Sequence, residues 1–237
     1  MKKVSIFWFR RDLRIEDNHG LYQALKENEN VLPLFIFDKN ILDKLDNKAD
    51  ARVEFIHDQI RHIHQELEKI GSAILVKYGD PEAIYKELLS EYAIQAVYTN
   101  RDYEPYATSR DEKIKSLLES KEIPFHTFKD LMIFEPGEIL NGSGEFYKVF
   151  TPFSKVWLSK FNSSKPEEFK PLDWKNLMQA TAFKLPSLEE IGFTKSDISI
   201  PSKIADEEII SQYNQTRDFP AKNGTSRLGI HLRFGTI

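Results

Sequence analysis

Four short apolar runs, each followed by a helical pattern, occupy the first half of the chain. Val4 to Phe9, Val31 to Phe37, Ala73 to Tyr78 and Ala96 to Thr99 are rich in β-branched and aromatic residues. Strands buried on both faces read as near-continuous apolar runs, because no face of them meets water. The helical patterns between them are equally plain. From Arg52 to Ile70, the residues Val53, Ile56, Ile60, Ile63, Leu67 and Ile70 recur at steps of three and four, and Gly71 supplies a stop. Asp80-Pro81 reads as an N-cap with a first-turn proline. A further helix is expected from about Tyr106 to Ser120. This alternation predicts an α/β domain over residues 1–130, a doubly wound, Rossmann-like parallel sheet of five strands.

Residues 131–202 have another character. They hold Pro136, Pro152, Pro166, Pro171, Pro186 and Pro201 and an Asn141-Gly142-Ser143-Gly144 turn. Phe134, Phe146, Tyr147, Phe150, Phe153, Trp157 and Phe161 predict a connector that packs down. Residues 203–237 turn helical again. With 237 residues, the chain exceeds the roughly 100–200 of one domain, so one domain plus the start of a second is expected. The net charge of -4 gives no global basicity, and any nucleic-acid contact must be a local patch. The absence of cysteine excludes disulfides and thiolate metal sites. The apolar run after Met1-Lys2-Lys3 is too short for a signal peptide, and no stretch approaches the ~20 apolar residues of a membrane span. A cytoplasmic location fits these features.

The first strand leads into Arg10-Arg11-Asp12-Leu13-Arg14 and Asp17-Asn18. In doubly wound sheets, ligands bind in the crevice beyond the strand C-termini. The charges there suit either an anion site or a guanidinium–carboxylate fastener at a loop or domain seam. Asp17-Asn18 also suits an N-cap. No GxGxxG follows the first strand and no GxxxxGK[ST] occurs, which argues against ordinary dinucleotide and P-loop enzymes. His57, His62 and His64 share one helix without a zinc-type pattern and read as a solvated polar face. No metal site and no Ser-His-Asp or paired-carboxylate arrangement is expected.

The closing segment carries more chemistry. Gly224, Thr225, Ser226, Arg227, Leu228 and Gly229 read as a glycine turn, two hydroxyls and a helix start. Thr225 or Ser226 can cap that helix, leaving its amides and Arg227 and Arg233 to meet a phosphate. A plain capped helix fits the spacing equally. Tyr213 and Arg217, four apart, share a helical face.

These motifs together resemble the photolyase/cryptochrome flavoproteins. Phe9 to Arg14 with Asp17-Asn18, Gly79-Asp80-Pro81, Tyr103-Glu104-Pro105-Tyr106 with Arg110-Asp111, and Phe146 to Phe153 with Trp157 follow the family's order, and Tyr213 to Gly235 is similar to the first half of its FAD site. The resemblance spans the whole chain. It implies an antenna-binding α/β domain (1–130), a connector (131–202) and the start of an all-helical FAD domain (203–237). It implies FAD contacts from Tyr213, Thr225, Ser226, Arg227, Leu228 and Gly229, and places Arg217 toward damaged DNA. The implied reaction is light-driven electron transfer from reduced FAD to a flipped-out cyclobutane pyrimidine dimer. A cryptochrome light receptor without repair is the alternative. Asp12 and Arg217 favour the repair enzyme.

Three features qualify the resemblance. Gly229 stands where the family usually has Ser, and Ile230 where it often has Pro. Phe37, Arg52 and Asp102 match positions of a deazaflavin antenna pocket, whereas Asn47 and Ala107 replace the residues that a folate pocket expects; the resemblance leaves a deazaflavin, flavin, lumazine or folate antenna, or an empty pocket, open. No catalytic residue falls in this chain, and Trp8, Trp157 and Trp174 match no electron-relay position. The isolated chain is expected to hold little FAD and to be inactive, with its last helix short of packing partners.

Overall fold

The computed structural model describes residues 1–170, 174–179 and 183–237; the connector proline Pro171 lies outside them. Five strands, β1 (Lys2–Phe9), β2 (Val31–Asp38), β3 (Leu75–Gly79), β4 (Tyr92–Asn100) and β5 (Phe125–Phe128), form one sheet in the order β3-β2-β1-β4-β5. The pairs β1–β4, β2–β3 and β4–β5 are parallel. Strand order reverses between β1 and β4, the switch point of a doubly wound sheet. All eight residues of β2 are buried, as are the last six of β1. The continuous apolar runs of the sequence thus mark strands covered on both faces.

The chain divides into two compact units. The first comprises Met1–Trp8, Ile15–Pro33 and Pro81–Gln179. It holds most of β1, β4 and β5, with α1 (His19–Glu27), α4 (Pro81–Glu91) and α5 (Pro105–Glu119). Its core is aromatic and aliphatic. Trp8 lies edge-on to Tyr85, with ring centroids 5.3 Å apart, and the Arg110 guanidinium sits 4.8 Å over the Trp8 ring. Trp8 is therefore a core aromatic. The connector contributes α6 (Phe150–Ser163), where Trp157 packs between Phe134 and Phe161 at 5.4 and 5.2 Å. A single 3-10 turn, Trp174–Asn176, precedes the bond from the Met178 N–H to the Val31 carbonyl.

A buried polar network fixes α1 against the switch point. Asn18 caps α1 by accepting the Leu21 N–H. The Asn100 amide, at the end of β4, donates to Asn18 Oδ1 at 2.8 Å and accepts the Gly20 N–H at 2.8 Å. A Cβ on Gly20 would lie 2.7 Å from Asn100 Oδ1 and 2.9 Å from the Phe7 ring. Only glycine lets the helix backbone reach that amide. Buried amides left unsatisfied are costly, so the network and the glycine are needed together.

The second unit comprises Phe9–Arg14, Leu34–Asp80 and residues 183–237. It holds most of β2, β3, α2 (Lys39–Leu42), α3 (Ala51–Lys69) and three short helices, α7 (Glu207–Ser211), α8 (Tyr213–Thr216) and α9 (Gly229–Arg233). The buried residues of α3 are Val53, Phe55, His57, Ile60, Ile63, His64 and Leu67. Two of the three histidines are therefore not on a solvated face. His57 Nε2 bonds the Pro186 carbonyl at 2.9 Å, and a late part of the connector covers that side of the helix. His62 remains exposed beside Glu66.

The approach at Gly20 generates a test. Gly20→Ala is expected to lower the unfolding free energy by about 1–3 kcal/mol, the usual cost of forcing an extra methyl into a packed site. A urea titration followed by tryptophan fluorescence measures it; an unchanged midpoint would contradict the close approach.

Candidate functional site

The loop after β1 docks on the last residues of the chain. Within it, the Arg10 N–H donates to Asp12 Oδ1 at 2.7 Å, and Asp12 is buried. The Leu13 N–H donates to the Phe234 carbonyl at 3.0 Å, and Arg14 Nη1 donates to the Gly235 carbonyl at 3.3 Å. Gly235 has φ +57, and a Cβ there would lie 2.6 Å from the Arg11 carbonyl oxygen. These bonds fasten the charged loop to residues 234 and 235.

The same docking positions α9. Phe55 of α3 lies edge-on to His231 at 5.4 Å and tilted to Phe234 at 5.7 Å. The His231 ring is buried, with Nδ1 2.8 Å from Thr236 Oγ1 and Nε2 2.8 Å from the Pro201 carbonyl. The last helix was expected to lack partners. It finds them in α3 and the Arg10–Arg14 loop, which the helical spacing of α9 gives no means of foreseeing.

Ahead of α9 runs the strip Thr225, Ser226, Arg227, Leu228 and Gly229. Neither Thr225 nor Ser226 caps the helix: the N-cap is Leu228, with no side-chain cap. Arg227 instead takes φ +54, and Leu228 follows with right-handed φ -70 and ψ -4. Such left-then-right pairs turn successive amides toward one side, a concavity suited to anions. Among the described residues, no amide of Thr225 to Ile230 donates to a protein acceptor. Thr225, Arg227 and Gly229 are exposed, and a Cβ on Gly229 would meet nothing within 4 Å. The strip is thus a row of amides without protein acceptors, with the exposed Arg227 among them.

Tyr213 and Arg217 are the ends of one helical turn, the Arg217 N–H bonding the Tyr213 carbonyl at 2.9 Å. Both side chains are exposed, and Arg217 Nε is 3.9 Å from Asp218. A contact that spacing does not reveal ties this turn to the strip. Thr216 Oγ1 donates to the Gly224 carbonyl at 3.2 Å, and Gly224 packs so closely on Thr216 that a Cβ would overlap it.

The three antenna-type residues fall in different surroundings. Phe37 is buried at the end of β2, edge-on to Phe35 and 6.1 Å from the His57 ring. Arg52 opens α3 with its guanidinium on Asp50, the helix N-cap, at 3.0 Å through Nε. Both belong to the second unit. Asp102 belongs to the first, where it accepts the Glu104 N–H at 3.1 Å. There it lines a cavity of about 230 Å³ with Arg101, Thr108, Asp111, Lys115 and Thr127. No group of His, Asp or Glu able to hold a metal occurs among the described residues.

Three tests follow from this geometry. Gly235→Ala is expected to break the Leu13–Phe234 bond and speed amide hydrogen exchange at Leu13, while β1 amides stay protected; Gly229→Ser is expected to leave the melting temperature unchanged or slightly raised. The bond from Arg52 holds the Asp50 carboxyl below its ordinary value of 3.8. A carboxyl depressed by folding contributes stability above its unfolded pKa and loses it as pH falls through the folded one. Arg52→Ala is therefore expected to move the acid-unfolding limb to higher pH, read from denaturation midpoints across the acid range.

Comparison with known proteins agrees with the sheet fold. The family described as DNA photolyase matches residues 5–172. A deoxyribodipyrimidine photo-lyase of Synechococcus sp. is 32% identical, the alignment covering 100% of this chain and 52% of the relative. Two solved structures superpose closely. A class III photolyase from Agrobacterium tumefaciens has TM-score 0.80 at 27% identity, with 100% of this chain and 51% of that one covered. An archaeal photolyase from Sulfolobus tokodaii with two FAD molecules has TM-score 0.72 at 29% identity, with 99% and 52% covered. The chain spans about half the length of these relatives. With the switch-point sheet, the family match over most of its length and these superpositions in hand, the chain belongs to the DNA photolyase family.

Proposed function

We propose that this chain supplies the α/β body and the opening FAD-contacting strip of a light-driven repair flavoprotein, a deoxyribodipyrimidine photolyase acting on pyrimidine dimers in DNA. The observation that carries the reading is the run of unengaged amides from Thr225 to Ile230 beside Arg227. In this reading Thr225, Ser226, Arg227, Leu228 and Gly229 hold the pyrophosphate through N–H groups and one guanidinium. The Tyr213 ring lies beside the cofactor, and Arg217, on the same turn, reaches a DNA phosphate. FAD supplies, when bound, the light-absorbing electron donor for dimer splitting. Residues 1–130 form the antenna-binding domain, 131–202 the connector and 203–237 the first part of the helical domain. Phe37 and Arg52, both in the second unit, serve an antenna of deazaflavin, flavin or folate type; the two FAD molecules of the Sulfolobus structure support a flavin. No helix of the described residues is long and apolar enough to cross a membrane, and the reading keeps a cytoplasmic site of action.

The isolated chain is too poor in contacts to hold FAD firmly. A helix N-terminus contributes about 0.3–1 kcal/mol to an anion, against roughly 8 kcal/mol for micromolar affinity. The purified 237-residue chain is therefore expected to show no stoichiometric flavin absorbance after incubation with FAD and desalting, and no repair. Where this chain is joined to a complete FAD site, blue light is expected to split dimers in irradiated DNA. Intact flavin photoreduction without dimer splitting would replace this reading with a signalling cryptochrome.

A further inference from the structure

The sequence contains two Asn-Gly pairs, Asn141-Gly142 in the connector and Asn223-Gly224 at the head of the strip. Asn-Gly is chemically labile because the glycine amide nitrogen, unshielded by a Cβ, can attack the asparagine side-chain carbonyl. The fold treats the two pairs in opposite ways. Gly224 is buried, its N–H is committed to the Lys222 carbonyl at 2.9 Å, and its own carbonyl accepts from Thr216. Gly142 is exposed, and among the described residues its N–H has no acceptor.

Asn141 is also held in a reactive environment. Its Oδ1 accepts the N–H groups of Ser143 and Glu145, each at 2.9 Å. Its main chain pairs with Glu145 at 2.8 Å and with Gly144 at 3.0 Å. Two amide donors on Oδ1 withdraw electron density from Cγ and face the oxygen on which negative charge develops during attack, as in an oxyanion hole. The departing Nδ2 has no protein acceptor among the described residues.

We infer that Asn141 is a site of self-catalysed deamidation and that Asn223 is protected. The Gly142 amide loses its proton to solvent base, and its nitrogen bonds to Asn141 Cγ. The Cγ–Nδ2 bond then breaks, and ammonia leaves with a proton taken from water. One water opens the resulting succinimide at either carbonyl, giving aspartate or isoaspartate at position 141; no oxidant or reductant enters. The aspartate product keeps two acceptor oxygens for the Ser143 and Glu145 amides. The isoaspartate product inserts a methylene into the main chain and breaks the pairing with Glu145. Its free α-carboxylate makes this loop a substrate for a carboxyl methyltransferase specific for isoaspartate.

Incubating the purified chain at mildly alkaline pH, then peptide mapping by mass spectrometry, tests the assignment. Asn141 is expected to convert about tenfold faster than Asn223, the ratio that a modest barrier difference produces. Isoaspartate, detected by enzymatic methylation of the peptides, is expected mainly in the peptide holding position 141. Gly142→Ala is expected to suppress conversion at Asn141 without a change in melting temperature, since a Cβ there meets nothing within 4 Å. Gly224→Ala leaves the Asn141 rate unaffected. Equal rates at the two asparagines, or an undiminished rate at Asn141 in Gly142→Ala, would overturn the inference.

Discussion

One backbone-to-backbone contact orders the candidate site: the Leu13 N–H on the Phe234 carbonyl, with Gly235 pressed against Arg11 and Asp12. The partners are more than two hundred residues apart in sequence, yet the entropy of closing so long a loop grows only logarithmically, by about 0.6 kcal/mol per doubling. What decides the contact is whether the two ends can approach. Gly235 supplies the positive φ and the missing Cβ, and buried Asp12 stiffens the loop by accepting the Arg10 N–H. Through this contact α9 rests on Phe55, and the strip before α9 inherits a fixed place relative to α3. Removing the glycine therefore acts on the strip without touching it.

The sheet and its helices were legible because their signals are local. Continuous apolar runs gave β1 and β2, three-four spacing gave α3 to within a residue at each end, and Asn18 caps α1 as its type and position suggest. The burial of α3 was legible only in part. Its apolar stripe shows the face turned to the sheet, but Phe55, His57 and His64 are buried as well. Their cover includes Pro186, His231 and Phe234. A histidine on a helix reads as polar surface until a distant carbonyl supplies its bond.

The strip itself was legible as chemistry and misread as geometry. Two hydroxyls before a glycine suggest a capped helix, and on that reading an oxygen of Thr225 or Ser226 would engage the first-turn amides. The structure uses Arg227 in the left-handed region to turn the chain, a conformation a β-unbranched residue reaches at a cost of order 1–3 kcal/mol. Nothing in the residue type announces that. The consequence favours the anion reading, since a side-chain cap would occupy donors that are left free here. The latch from Thr216 to Gly224 escaped notice for a related reason: it depends on the absence of a Cβ at one residue and on a hydroxyl eight positions away.

The latch and the docking contact bear on affinity through order more than through direct attraction. A loop that must be organised by its ligand spends part of the binding energy on ordering, whereas a preorganised one does not. Here the strip is anchored at both ends without any ligand, by Gly224 on Thr216 and by Phe234–Gly235 on the Arg10–Arg14 loop. The exposed middle, Thr225 to Gly229, carries the donors. Gly229 is the point where that design is loosest: glycine loses the most conformational freedom on ordering, and it offers an amide but no hydroxyl. A serine there has open space for its Cβ and would restrict the chain while adding a donor. The glycine therefore trades contact strength for backbone freedom at the helix start, while the anchors on either side keep the remaining amides aligned.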